Sequence, residues 1–506
     1  MKKNLAFLGF LLTFHLLFWQ QGPGLNLSLF TLASVVWFYA NKPFSKPKKL
    51  EVLLASSFLI CSFSHLLINS YLSTVMSAFT FITFYSYLHL RNHSVAENFV
   101  NGALAFFSFR NPILPAPLLN PTKPKPAGLL YTRLIWIPLL FFVLYFIMFL
   151  AGNPIFKDLS ETAFGRFFKL FENISWPYFF FTLLSLIVVR WLFLKKRKNK
   201  LNLSADNTLV RTRAKGFRYF RGMELKHEYL TALILFALLN VLFVTVNFID
   251  IKWIWFQFEV PTGFSLKDFL HDGVLYLILS LLLSMVLVFY FFRKNLNFYP
   301  NNVWLKRLAL FWVFQNGILA ISVIIRSFYY IGFHGLASGR IGVLVFLTLV
   351  FFGLVSLAIK ISTQKNSAFV LRINSAFALI LLSVCTTVNW DGLIANVNLN
   401  HAHANEIDVN NYLNLNPQVY PIIFANLDKV ETQIRQHNNN DTRWISYDNI
   451  DDFKERLLYK SERYLNERAQ YRSFNSWTWA DAHAQKQLTT LVSSNKGKSD
   501  EEVTKQ

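Results

Sequence analysis

The chain has 506 residues, of which 54% are hydrophobic and only 15% are charged, and 54 of them are Phe. This composition excludes an ordinary soluble enzyme, and the apolar residues fall in runs long enough to cross a hydrocarbon core about 30 Å thick. The formal net charge is +22. It does not indicate a nucleic-acid partner, because most basic residues lie in short loops beside apolar runs, where the positive-inside rule accounts for them.

The apolar runs predict an all-α protein with about eleven membrane-spanning helices. The first run, Leu5–Phe18, follows two lysines as in a signal peptide. No small-residue cleavage site follows it, so we interpret it as an uncleaved first span. The predicted spans lie at roughly 4–20, 25–41, 50–69, 71–89, 132–151, 174–194, 229–250, 272–292, 307–329, 341–360 and 372–389.

The distribution of Lys and Arg predicts the orientation of these spans. With a cytoplasmic N-terminus, the cytoplasmic loops and their flanks hold roughly 29 basic residues, against about 7 in the opposite loops. The loop 195–228, with its KKRKNK run, is the strongest single signal. We interpret it mainly as a topology anchor on the anionic leaflet, with specific lipid or protein docking as the alternative. An odd number of spans then places the region after Trp390 outside the cytoplasm.

The region after the last span predicts a small extracytoplasmic helical domain. We therefore divide the chain into a transmembrane domain (1–390), a C-terminal helical tail (391–492) and a disordered terminus (493–506). Pro417 suits the first turn of a helix from Gln418 to Gln436, and a second amphipathic run extends from Ile450 to about Tyr471.

Polar residues inside the predicted spans are the best pointers to a site, because they are costly in lipid. Spacing places Asn240 and Asn247 on one helical face, and places Gln315 and Arg326 on one face of a later span. The predicted polar cluster consists of Asn240, Asn247, Asp250, Asp272, Gln315, Arg326, Tyr330 and Arg340. Helix packing with snorkelling to headgroups is the simpler interpretation, and a functional pocket is the alternative.

Signatures of catalysis and cofactor binding are not found in the sequence. It has no phosphate-binding G-x-x-x-x-G-K-[ST] loop and no G-x-S-x-G nucleophile elbow. Cys61 and Cys385 both fall in apolar runs, and His401 with His403 is better interpreted as a solvated linker than as a metal site. We predict no catalytic residue, no cofactor and no metal, which makes a non-enzyme the favoured class.

The segment 325–340, IRSFYYIGFHGLASGR, runs from the end of the predicted span 307–329 through a tight turn to the start of the next span, and it carries a recognisable pattern. Arg326, Tyr330, Gly335-Leu336 and Arg340 resemble a signature of bacterial multi-pass proteins catalogued as domains of unknown function 4173 and 4153. A second group past the last span resembles their other signature: Asn389, Asp391, Ile394, Ala395 and Asn398. The resemblance implies a polytopic membrane fold of the bacterial cytoplasmic (inner) membrane, and it implies no activity.

Three functional hypotheses follow. The protein is a membrane scaffold or envelope-complex subunit whose tail meets a protein partner, since a catalytic constellation is missing and the tail is predicted to fold. Alternatively it is a transporter or lipid-handling permease, because polar groups lie within two spans. The third hypothesis, an enzyme on lipid-linked substrates, depends only on weakly placed carboxylates. The lipid bilayer is a partner under all three, and nucleic acid under none.

Overall fold

The computed structural model describes residues 2–41, 48–106, 175–192, 209, 221–256, 266–292, 295–300, 302–401, 407–438, 449–470 and 474–503. Within these residues the regular structure is helical, and no strand occurs. The α-helices are α1 (Lys2–Phe18), α2 (Leu25–Ala40), α3 (Lys49–Ile68), α4 (Tyr71–Leu90), α5 (Val95–Phe106), α6 (Trp176–Leu192), α7 (Arg221–Asp250), α8 (Leu266–Phe291), α9 (Val303–His334), α10 (Ser338–Ser362), α11 (Ser367–Cys385), α12 (Trp390–Leu399), α13 (Asn410–Asn414), α14 (Tyr420–Phe424), α15 (Leu427–Asn438), α16 (Ile450–Gln470) and α17 (Trp479–Val503).

The chain divides into two compact units. The smaller one comprises Met1–Gly22 and Ala103–Lys196. Its described helices α1 and α6 pack through aromatic side chains, with the Trp19 and Tyr178 ring centroids 4.5 Å apart and edge-on. Such edge-to-face pairs are favoured by the ring quadrupoles. Pro23–Gly102 and Arg197–Gln506 form the larger unit.

Five described helices are long and apolar enough to cross a membrane, namely α3, the segment Tyr229–Asp250 of α7, α9, α10 and α11. Shorter apolar helices are found at Ala6–Phe18, Leu25–Ala40, Pro177–Leu186 and Ser280–Phe291. These nine positions agree with predicted spans, whereas the predicted span 71–89 is the helix α4, which is not among these apolar helices. The predicted span 132–151 lies outside the described residues, and the count of eleven stays a prediction.

The membrane helices of the larger unit enclose an apolar core. Phe236 of α7, Leu281 of α8, Trp312 of α9 and Leu357 of α10 all belong to it, and each is at most 2% exposed. Their apolar outer faces remain exposed, as at Leu238 (66%) and Phe314 (63%). Exposed leucine and phenylalanine along a bundle of apolar helices is the surface that lipid tails require.

The tail has an apolar core of its own, which includes Tyr412, Ile423, Phe453 and Leu488. The single helix predicted from Gln418 to Gln436 is wrong: a 3-10 turn (Pro417–Val419), α14 and α15 replace it. Pro421 in the first turn of α14 has no backbone N–H to donate and fixes its own φ, which restarts the helix at that point. The apolar side chains of the region still face one core.

Helix α17 continues to Val503, beyond the point at which composition predicts disorder. Once a helix is nucleated, each added residue gains one backbone hydrogen bond, and the polar residues of this segment include good helix formers. Residues 504–506 lie outside the described residues.

Candidate functional site

A seam of buried polar side chains joins α7 to α9. The Asn240 amide nitrogen donates to the Leu308 carbonyl at 3.0 Å, and that of Asn247 donates to the Gln315 carbonyl at 3.1 Å. In each pair the acceptor residue follows the donor residue by 68 positions. Because this separation stays constant along both helices, they run side by side in the same direction. The Gln315 amide completes the link by donating to Asn240 Oδ1 at 2.6 Å.

The seam ends in an ion pair between Arg326 and Asp250. The guanidinium Nη2 lies 2.6 Å from the carboxylate Oδ1, and the two side chains are only 9% and 7% exposed. Two members of the predicted cluster, Arg326 and the acid at the end of α7, therefore form a direct ion pair. Removing both charges from water is costly, and their mutual attraction with a direct hydrogen bond offsets that cost.

Several acceptor oxygens along this seam receive no hydrogen bond within the described part of the chain. They are Asn247 Oδ1, Asp250 Oδ2, Gln315 Oε1 and Asn316 Oδ1, each on a residue no more than 5% exposed. An unsatisfied buried polar atom is costly, and such atoms are found where water or a ligand supplies the missing donor. The seam thus retains at least four acceptor oxygens that such a donor would satisfy.

Two predicted cluster residues, Tyr330 and Arg340, form a separate arrangement at the end of α9. Arg340 donates from Nη1 to the backbone carbonyls of His334, at 2.8 Å, and Gly335. Its guanidinium carbon lies 4.4 Å from the Tyr330 ring centroid. A cation that binds the last carbonyls of a helix satisfies acceptors that lack intrahelical partners and complements the helix dipole. Arg340 therefore caps α9, rather than simply reaching water as the sequence suggested.

The turn between α9 and α10 is held by Asn398 of α12. Asn398 accepts from the Leu336 amide at 2.6 Å and donates to the Leu336 carbonyl at 2.8 Å. Gly335 adopts φ +74° and ψ −168°, a conformation open essentially to glycine alone. The turn is shorter than the gap between the predicted spans 307–329 and 341–360, because three residues, 335–337, connect the two helices.

A buried carboxylate of the tail, Asp481, fixes the tail to the membrane helices. It is 4% exposed. Burial and then the Asp481 carboxylate raise the pKa of Tyr464, which keeps that phenol protonated as a donor. Five described side chains donate to the carboxylate at distances of 2.7 to 2.8 Å: Asn69, Gln418, Tyr464, Arg468 and Thr478.

Sequence reasoning missed the role of Asp481, because its partners are far away in sequence. Asn69, directly after α3, precedes it by 412 residues. A local signal does exist: Thr478 directly precedes α17 and its hydroxyl accepts from the Asp481 amide at 3.2 Å, the N-cap half of a capping box, readable as T-x-x-D. That signal indicates a helix start and says nothing of the contact with α3.

The predicted cluster thus separates into two arrangements. Asn240, Asn247, Asp250, Gln315 and Arg326 meet in the seam, while Tyr330 and Arg340 close the end of α9. Asp272 lies on α8, and its side chain falls outside the described residues. Trp255, which the prediction did not include, donates from Nε1 to Ser322 at 2.9 Å and extends the seam. No group of three or more metal-ligating side chains occurs among the described residues.

The apolar helices with a buried polar seam define an integral membrane protein of the all-helical class. The chain belongs to the family described as Domain of unknown function (DUF4153), whose model matches residues 27–425. This range contains the seam and the Asn398 contact and ends before α15, so Asp481 lies beyond it. Neither a curated protein nor a solved structure matches the chain.

Proposed function

We propose that the protein is a scaffold or structural subunit of a bacterial envelope complex, placed in the cytoplasmic membrane with a cytoplasmic N-terminus. Its helical tail lies outside the cytoplasm and presents a docking surface to a protein partner. The excess of basic residues in alternate loops supports this orientation.

The observation that carries the proposal is the firm attachment of the tail to the membrane helices. Asp481 binds Asn69 at the end of α3, and Asn398 holds the turn after α9. Backbone hydrogen bonds add to these contacts, since the Leu25 amide donates to the Trp477 carbonyl at 2.9 Å. A tail on a flexible linker would transmit little force or orientation to the membrane domain, whereas a tail fixed at several helix ends acts as one platform with it.

The seam also supports a structural role. Asn240 and Gln315 bond directly from helix to helix, and both are at most 4% exposed. Interhelical hydrogen bonds between such residues stabilise membrane bundles by roughly 0.6–2 kcal/mol each. Direct pairing of this kind uses polar groups to hold helices together and leaves them less available to a passing substrate.

Site-specific photocross-linking in cells tests the proposal. A benzophenone amino acid replaces Tyr459, which is 66% exposed on α16, and further exposed tail positions are then scanned. The matched control carries the probe at Phe351, which is 44% exposed on the membrane helix α10. We expect a discrete protein adduct from the tail and none from Phe351. A complete tail scan that yields no protein adduct at native expression would contradict the scaffold function.

A second candidate function, a permease, is supported by acceptor oxygens of Asn247, Asp250 and Gln315 that receive no hydrogen bond from the described residues. Water would donate hydrogen bonds to these oxygens, and a cation would bind them, as in a hydrated path through a membrane protein. The test is ion uptake into proteoliposomes under an imposed potential, comparing the wild type with Gln315→Leu. Flux that the substitution abolishes without loss of folded protein would favour the permease, and the absence of flux would favour the scaffold.

A further inference from the structure

The tail contains a groove of about 570 Å³ between the C-terminal half of α16, the loop before α17 and α17 itself. Arg468, Trp477, Asp481 and Lys486 are among the residues that line it. The groove lies apart from the seam, and the inference drawn from it goes beyond the scaffold function.

The groove adjoins the end of a helix that is long and apolar enough to cross a membrane. Its lining residue Asp481 accepts a hydrogen bond from Asn69, the residue that directly follows the membrane-spanning helix α3. A second lining residue, Trp477, accepts from the amide of Leu25 at the start of α2. Because a span ends where hydrocarbon gives way to headgroups, a groove fixed to that end lies among the headgroups.

Exposed aromatic side chains mark the same level. Trp477 is 42% exposed, Trp479 is 56% exposed and Phe474 is 76% exposed, all on the segment that lines or adjoins the groove. Tyr71 begins α4 two residues after Asn69 and is 86% exposed. Trp and Tyr are enriched at the membrane–water boundary, where an amphipathic ring meets both apolar chains and water. Neither tryptophan packs in the core of the tail.

The charged groups of the groove suit a phosphodiester. One guanidinium nitrogen of Arg468 binds Asp481 at 2.7 Å, and the Arg468 side chain is still 30% exposed. A guanidinium has five N–H donors, so Arg468 retains donors for a second anion. Lys486, exposed on α17, adds a second positive charge to the groove. Among the described residues that line it, the one acid is Asp481, and that carboxylate already binds Arg468.

We infer that this groove binds the phosphodiester headgroup of an anionic phospholipid from the adjoining leaflet, with Lys486 and Arg468 as the phosphate donors. The aromatic side chains beside it contact the glycerol and upper acyl region. The site attaches the tail to the lipid as well as to the membrane helices.

The experiment titrates the purified full-length protein, in a mild detergent, with fluorescent phosphatidylglycerol and separately with phosphatidylcholine. Lys486→Gln should weaken phosphatidylglycerol binding about fivefold, the usual contribution of one basic residue at an anionic surface. Lys486→Arg should retain the binding. Lys454→Gln is the matched control, since Lys454 is a partly exposed lysine on α16 that pairs with Asp451 and lies outside the groove lining.

Several results would overturn the inference. Equal affinity for the two lipids would show that the groove does not select an anionic headgroup, since both lipids carry a phosphodiester. An equal loss from Lys454→Gln would show that Lys486 is not a specific phosphate donor. Displacement of the lipid by soluble glycerophosphoglycerol at the same concentration would assign the groove to a free phosphate ester. Displacement by a neutral oligosaccharide would assign it to a glycan.

Discussion

Substituting Arg326 by alanine should destabilise the folded membrane domain strongly. The ion pair with Asp250 has a 2.6 Å contact, and its side chains are 9% and 7% exposed, so neither charge can be solvated when the other is removed. Removing one partner of a buried pair costs about 3–5 kcal/mol, because it leaves an uncompensated charge. The Asp250 carboxylate would become that charge. The double variant Arg326→Ala, Asp250→Ala should lose much less than the sum of the two single losses.

The assay is thermal unfolding of the detergent-purified protein, followed as the monodisperse fraction on size exclusion. Arg435→Ala is the control, because Arg435 pairs with Glu431 on the tail surface with 77% of its side chain exposed, and it should leave the unfolding temperature unchanged. Additive losses in the double variant would refute the reasoning. A stable Arg326→Ala protein that has lost its cellular phenotype would instead make Arg326 a ligand-binding residue.

Three further predictions concern the connections of the tail. Gly335→Ala should lower the free energy of unfolding by at least about 1–3 kcal/mol, because alanine is strained in this backbone conformation. The added Cβ would also lie 2.5 Å from Ile407. Gly332→Ala is the control, since its Cβ meets nothing within 4 Å, and thermal unfolding should show no loss. Asp481→Asn should release the tail, seen as faster limited proteolysis of the tail, since it breaks the Arg468 ion pair. Burial raises the pKa of Asp391. A carboxyl group whose pKa is raised in the folded state destabilises the fold as pH rises and the group ionises. Asp391→Asn should therefore raise the melting temperature at pH 7, and this gain should disappear in acid, where Asp391 is protonated.

Positions of the helices could be predicted from the sequence, because apolar runs of span length have few alternative structures. The run at 307–329 indicates a span, and α9 extends it to Val303–His334. The Arg326–Asp250 contact could also be anticipated, since membrane depth restricts which charges can meet. The tail helix from Gln418 was predicted too long, because the apolar spacing continues through Pro421 although the helix does not.

The contacts that fix the tail could not be predicted, because they join residues far apart through single amide groups. Asn398 binds the backbone of Leu336, 62 residues earlier, and leaves no periodic signal. The resemblance to a known family marked Asn398 without giving its role. The capping of α9 by Arg340 was likewise hidden, because a charge beside a span looks the same in sequence whether it reaches water or binds carbonyls.

Membrane topology is the most direct test of the central claim, that the tail lies opposite to the N-terminus on the extracytoplasmic side. The measurement uses paired alkaline phosphatase and fluorescent-protein fusions after Lys200 and after Asp408. We expect the fusion after Lys200 to report the cytoplasm, because of the basic loop that surrounds it, and the fusion after Asp408 to report the opposite side. The same side for both fusions would contradict the odd number of spans and with it the proposed outward docking surface.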